Sequence, residues 1–190
     1  MLAEIIQLDH QLFYAINSGL SNVFFDLVMP ILRNRYTWVP LYIFIIYYFV
    51  KNYKLKGLYL TLTLISCFAF ADFTSASLIK KAIKRPRPCN EITFKKQVIM
   101  RVNCGSGFSF PSTHATDHFA IALFTICVCI KKKKYVNFAL FSWAFLIAFA
   151  QVYVGVHFPL DVICGAVYGS LIGLVFAYFF NLKFKTLKLT

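Results

Sequence analysis

The sequence predicts an all-α integral membrane protein: about five transmembrane helices, preceded by amphipathic helices on the interface, with its chemistry in loops on one face. Three observations predict it. Of the 190 residues, 59% are hydrophobic, and the mean hydropathy is +0.68. Charged residues make up 14%, against about 25% in soluble domains. Those charges are bunched at the ends of apolar runs, where cations flank bilayer spans. The 22 Phe and 11 Tyr suit lipid-facing and interfacial positions. The length gives a single domain, residues 1–190.

A net charge of +13 would suggest nucleic acid in a soluble protein. Here the cations border apolar spans, so the expected partners are the membrane interface and anionic lipid, not nucleic acid.

Residues 1–35 alternate apolar and polar groups, with Asp9, His10, Asn17, Asp26, Arg33 and Arg35 interspersed. No stretch there offers the roughly 20 apolar residues a span needs. Two short interfacial helices, broken near Asn17-Ser18-Gly19, are expected instead. Residues 1–20 also lack the basic start and continuous apolar core of a cleavable signal, so the first span is expected to target the chain.

The bundle is expected over residues 36–180. Its first span is 36–50, closed by Lys51, Lys54 and Lys56. The second, 58–79, ends at a cluster that begins with Lys80. A polar loop, 81–111, holds Pro86, Pro88, Cys89, Cys104, Gly105 and Gly107. The third span starts near Ser112 and stops at Lys131 to Lys134; the fourth is 135–154. The fifth is 158–180, followed by Lys183, Lys185 and Lys188.

Five spans put Lys80, His114 and His157 on one face and the short lysine clusters on the other. Lys and Arg number ten on each face, so the positive-inside rule is tied. Cations retained for chemistry would tip the histidine face outward, toward the periplasm of a bacterial inner membrane. Cys67, Cys127, Cys129 and Cys164 lie in apolar runs and read as small buried hydrophobes. Cys89 and Cys104 share the polar loop: a disulfide if that loop meets an oxidising compartment, two thiols otherwise.

Three segments carry the candidate chemistry. In Val154-Gly155-Val156-His157-Phe158-Pro159-Leu160-Asp161, Pro159 suits the first turn of a helix. Asp161 is then one turn inside it, able to fix the His157 tautomer and free the other ring nitrogen as nucleophile or base. In Phe110-Pro111-Ser112-Thr113-His114, Ser112 reads as an N-cap. Free N–H groups in that turn favour an anion, and an imidazole beside them can protonate a leaving oxygen. In residues 80–88, Pro86 and Pro88 stiffen a segment where Lys80 and the planar fork of Arg87 offer donors to phosphate. Lys81, Lys84 and Arg85 read as interfacial.

Together these residues resemble the type 2 phosphatidic acid phosphatase family, related in fold to vanadium haloperoxidases. Lys80, Arg87 and Pro88 match its first motif, Lys, six residues, then Arg-Pro. Pro111, Ser112 and His114 match Pro-Ser-Gly-His, with Thr113 in place of glycine. His157 and Asp161 match the end of Ser-Arg, five residues, His, three residues, Asp. The family's Ser-Arg pair falls on Ala150-Gln151, so a phosphate-binding Arg is replaced by a neutral amide. Loss of one charge-assisted bond costs about 1.5–3 kcal/mol, and Lys84 or Arg85 are candidates to compensate.

The resemblance implies a membrane phosphatase acting on a lipid phosphomonoester or diphosphate headgroup. His157 would attack phosphorus to form a phosphohistidine, oriented by Asp161, while His114 protonates the departing oxygen and then activates water. Lys80, Arg87, Ser112, Thr113 and Gln151 would hold the phosphoryl oxygens, the main work in this reaction class. It implies no metal or other cofactor, and the sequence has no cluster with metal-ligand spacing. Substrates implied are polyprenyl diphosphate, phosphatidic acid, phosphatidylglycerol phosphate or a phosphorylated glycolipid. Two other readings are a lipid phosphotransferase and, given Gln151, a non-catalytic lipid-phosphate binder or transporter. Asp72, Asp117 and His118 lie inside apolar runs, where ionisable groups usually face inward. They are expected either to pair with site cations or to hydrogen-bond within the bundle.

Overall fold

The structure is a computed structural model and describes residues 2–92, 94, 97–129 and 134–184. Lys131 to Lys133, Lys185 and Lys188 of the lysine-rich face lie outside the described residues, as does the side chain of Cys129.

Two helices precede the bundle, α1 (Leu2–Asn17) and α2 (Val23–Arg33). Asn22 caps α2, its side chain accepting from the Phe25 N–H at 2.9 Å. Each presents exposed apolar residues, Leu8 and Leu12 on α1 and Phe24 and Leu27 on α2, the face an interfacial helix immerses. The opposite faces are docked on protein, burying Asp9, Phe13 and Asn17 of α1 and Met29 of α2. The expected pair of N-terminal helices is therefore present, and both are tied to Tyr153, Asn17 donating to its carbonyl at 2.8 Å and Asp26 accepting from its hydroxyl at 2.6 Å.

A short 3₁₀ turn, Arg35–Trp38, leads into α3 (Val39–Phe73). At Lys54 the backbone leaves the helical region, with φ 50° and ψ −124°. The chain reverses there: Phe49, Leu60 and Cys67 share one buried cluster, and a Cβ on Gly57 would lie 2.0 Å from the Phe49 carbonyl oxygen. Only glycine fits so close an approach. The arms of this hairpin are the expected first two spans. Lys51, Asn52, Lys54 and Lys56 turn it because they need water at the membrane surface.

The second arm tightens into a π-type turn, Thr74–Ile79, and then α4 (Lys80–Ile83). After the loop come α5 (Thr113–Cys129), α6 (Lys134–Tyr153) and α7 (Pro159–Phe184). Among the described residues three helical segments are long and apolar enough to cross a bilayer: Arg35–Ile83, which holds both hairpin arms, Lys134–Tyr153 and Pro159–Phe184. α5, with 17 residues, is at the short end of the spanning range. It is also the innermost helix, burying Ala115, Ala120, Ala122, Phe124 and Val128.

α5 and α7 meet almost backbone to backbone. Cβ atoms on Gly165, Gly169 and Gly173 would lie 2.6, 2.0 and 2.5 Å from the carbonyl oxygens of Ser112, Thr116 and Ala120. A small residue every fourth position allows this approach, as in other membrane helix pairs. The seam sets the start of α5 against the start of α7.

Candidate active site

The turn between α6 and α7 is built on Gln151. Its carbonyl oxygen accepts from the N–H groups of Val156, at 3.2 Å, and His157, at 3.3 Å. Gly155 makes the reversal at φ +90°, and a Cβ there would fall 2.8 Å from Val98. Pro159 then opens α7, where a missing N–H costs nothing.

Asp161 lies one turn inside α7 and is fully buried. Its Oδ2 accepts from the Phe158 N–H at 2.8 Å and faces His157 Nδ1 at 3.5 Å. Nδ1 is thereby turned inward and Nε2 is the nitrogen free for chemistry. His157 is 2% exposed. Burial pushes its pKa down to about 4, against the raising effect of Asp161, so the imidazole is neutral near pH 7.

Behind Asp161 is a second ion pair. Arg85 donates through Nη1 to Asp161 Oδ1 at 2.8 Å and through Nη2 to Asp9 Oδ2 at 2.5 Å. Asp9 Oδ1 in turn accepts from the Leu160 N–H at 2.8 Å. The guanidinium also stacks 4.2 Å over the Phe158 ring. Arg85 is thus not simply an interfacial cation. Nor does it line the cavity, because it braces Asp161 from outside it. Lys84, exposed in a left-handed turn at φ 54°, is also absent from the cavity wall.

Ser112 caps α5, accepting from the Ala115 N–H at 3.4 Å, while its own N–H donates to the Asp161 carbonyl at 2.8 Å. It is fully buried and outside the cavity wall. The N–H groups of Thr113 and His114, in the first turn, have no intrahelical acceptor. His118 Nδ1 donates to the His114 carbonyl at 2.7 Å, so its Nε2 accepts from the Tyr42 hydroxyl at 3.1 Å.

Lys80 reaches the site across the π-type turn, whose wider winding re-aims the residues after it. Arg87 is held by main-chain oxygens, Nε donating to Gly107 at 3.0 Å and Nη1 to Val156 at 3.4 Å. The 81–111 loop, which carries both Arg87 and Gly107, is cross-linked by a Cys89–Cys104 disulfide, with Cα atoms 6.1 Å apart.

These elements surround one cavity of about 410 Å³. Lys80, Arg87, Thr113, His114, Gln151 and His157 all line it. So do Asp72, Asp117 and His118, with Tyr42 beside them. Arg33 and Arg35 close the wall from the end of α2 and the turn after it. Burial, with Arg87 adding repulsion, lowers the pKa of the Arg33 guanidinium.

Residues 55–185 match the sequence profile of the PAP2 superfamily. The chain belongs to the PAP2 superfamily. It is an integral-membrane phosphatase. A lipid A 4'-phosphatase of Bacteroides thetaiotaomicron is 32% identical over 94% of this chain and 79% of its own length. A lipid A 4'-phosphatase of Porphyromonas gingivalis is 26% identical over 89% and 71%. The crystal structure of Aquifex aeolicus LpxE superposes with a TM-score of 0.65 at 27% identity, covering 88% of this chain and 93% of that one. A Bacillus subtilis PAP2-type phosphatidylglycerolphosphate phosphatase shares the fold at a TM-score of 0.66 and 23% identity, over 96% and 88%.

Asp9, Arg33, Tyr42 and Arg85 line or brace this PAP2 site without matching a named position in any of the three motifs. Asp9 had a readable signal, an acid on the polar stripe of a helix whose neighbours are apolar. Arg33 had none, because a cation ending an interfacial helix looks like an anchor.

Proposed function

We propose that this PAP2 phosphatase removes a phosphate monoester from a phosphorylated glycolipid through a phosphohistidine on His157. One observation carries the reading: Lys80, Arg87, His114 and His157, from four separate segments, line the same cavity. His157 Nε2 attacks phosphorus, and the alcohol oxygen of the lipid departs with a proton from His114. His114 then takes a proton from water, whose oxygen attacks the phosphohistidine, and inorganic phosphate leaves. Asp161 stabilises the imidazolium character that develops at His157.

Lys80, Arg87 and the first-turn N–H groups at Thr113 and His114 gather the charge on the phosphoryl oxygens. Ser112 contributes by capping that turn, and the Gln151 amide adds a neutral donor. Residues 1–190 act as one catalytic unit, with 1–35 docked on the 36–180 bundle around the 81–111 loop. The glycolipid is favoured over the other lipid phosphates because two of the relatives are lipid A 4'-phosphatases. The Cys89–Cys104 bond supports an outward-facing site, since disulfides persist in the periplasm.

The test is inorganic phosphate release by the detergent-purified protein from lipid A, phosphatidic acid, phosphatidylglycerol phosphate and a polyprenyl diphosphate. Release is expected to be fastest from lipid A and absent with His157→Ala. A His157→Ala protein with wild-type turnover overturns the mechanism. A new phosphorylated lipid in place of free phosphate would make the enzyme a transferase.

A further inference from the structure

The family's third motif places a guanidinium where this chain has Gln151, and nothing on α6 replaces the charge. Gln151 is fully buried in the cavity wall, and neither Nε2 nor Oε1 has a hydrogen-bond partner among the described residues. A buried amide with both polar atoms unsatisfied marks a place where something polar is meant to bind.

The same cavity receives a guanidinium from another helix. Arg33, the last residue of α2, lines the wall, and its Nε is buried with no hydrogen-bond partner among the described residues. Both orphaned groups border the space that also holds Lys80, Arg87 and His114. Arg35 is less suited, being exposed and 5.9 Å over the Tyr36 ring.

α2 is fixed in a way that an anchoring helix does not require. Met29 is buried against Ala150 and Tyr153, the neighbours of Gln151 on α6. Asp26 pairs with Arg101 and accepts from the Tyr153 hydroxyl at 2.6 Å. Beyond the helix, Trp38 Nε1 and Thr37 Oγ1 donate at 2.8 Å to the carbonyls of Leu32 and Ile31. The residues flanking Arg33 are therefore held on both sides, against the helix that lost its own cation.

We propose that Arg33 is the third phosphoryl-binding cation of this site, supplied by α2 in place of an arginine at position 151. The inference rests on the phosphatase reading for its substrate but not for its anion. A phosphoryl oxygen would accept from Arg33 Nε and from Gln151 Nε2, satisfying both buried donors. The resulting site binds a tetrahedral oxyanion, and α2 becomes part of the enzyme's phosphate pocket.

Two measurements on the full-length protein in detergent test this. The first is kcat/KM for phosphate release from lipid A by wild type, Arg33→Gln and the double variant Arg33→Gln/Gln151→Arg. Removing one charge-assisted bond should lower kcat/KM ten- to hundredfold, and the arginine restored on α6 should recover it to within about threefold of wild type. The second is the rise in melting temperature with orthovanadate, which needs no turnover; Arg33→Gln should abolish most of it and the double variant should return it. An Arg33→Gln protein with unchanged kcat/KM and unchanged vanadate stabilisation overturns the proposal. So does a loss that Gln151→Arg fails to restore in a protein that melts like wild type. If wild type releases no phosphate from lipid A but vanadate stabilises it through Arg33, the glycolipid reading falls while the pocket stands.

Discussion

Asp161 and Arg85 are bonded at 2.8 Å through Oδ1, which leaves the second carboxylate oxygen for His157. His157 is thus aligned by an acid that is itself held by a cation, and that cation is shared with Asp9 on the first helix of the chain. Neither acid has any exposed side-chain surface, and Arg85 is 20% exposed.

Arg85→Met should therefore be costly, because it strands two buried carboxylates. Breaking a buried pair from one side costs about 3–5 kcal/mol. The expected result is a clear drop in melting temperature with a fall in kcat, and partial recovery of both when Asp9→Asn is added. Thermal unfolding and steady-state kinetics of the single and double variants check this.

Asp161→Asn should leave the Phe158 N–H satisfied but fail to stabilise the charged imidazole. By analogy with other carboxylate–histidine pairs, kcat should fall by about 10²- to 10⁴-fold, with KM changed far less. Initial rates across lipid concentrations separate the two parameters.

His157 should titrate near pH 4 and not near 6.5, since burial disfavours its cation. A histidine with a lowered folded pKa costs stability as pH falls between those values, because the unfolded chain takes a proton the folded one does not. Above pH 6.5 it contributes no such penalty. The ¹⁵N imidazole shift, assigned by comparison with His157→Ala, reports the midpoint directly; a value near 6.5 would mean a solvated ring.

Gly169→Ala should force α5 and α7 apart, because its Cβ would sit 2.0 Å from the Thr116 carbonyl oxygen. Main chain cannot yield as a side chain can. Overpacking of this kind costs about 1–3 kcal/mol, so both melting temperature and kcat should drop. Tyr178→Ser, at an exposed position on the same helix, is the control expected to change neither appreciably.

Replacing Cys89 and Cys104 with Ser opens a loop closed across 15 residues. Loop entropy assigns such a closure about 3 kcal/mol. Because Arg87 and the Gly107 carbonyl that holds it flank the two ends of that loop, the expected catalytic effect is a several-fold higher KM. Wild-type protein treated with a reductant should show the same rise.

Much of this site was legible because its chemistry uses residue types that stand out in apolar sequence. Two histidines at the starts of helices, and a lysine and arginine around a stiffened loop, announce themselves by contrast with their neighbours. The hairpin was legible for the same reason, its turn being marked by lysines at 51, 54 and 56. Arg85 was misread because Lys81, Lys84 and Arg85 look alike in one dimension. Only the distant partners at Asp9 and Asp161 distinguish it. The docking of α1 and α2 was likewise hidden: Asn17 donates to the Tyr153 carbonyl at 2.8 Å, a contact no local pattern encodes.

The glycine seam has one more implication, for how the enzyme tolerates its surroundings. A bilayer thickens, thins and bends, and the helices embedded in it tilt in response. His114 and Asp161 rise from two main chains in direct contact, with no deformable side-chain layer between. His114 and Asp161 therefore travel as a single plate, and their spacing is set by main-chain contact rather than by the state of the lipid around them.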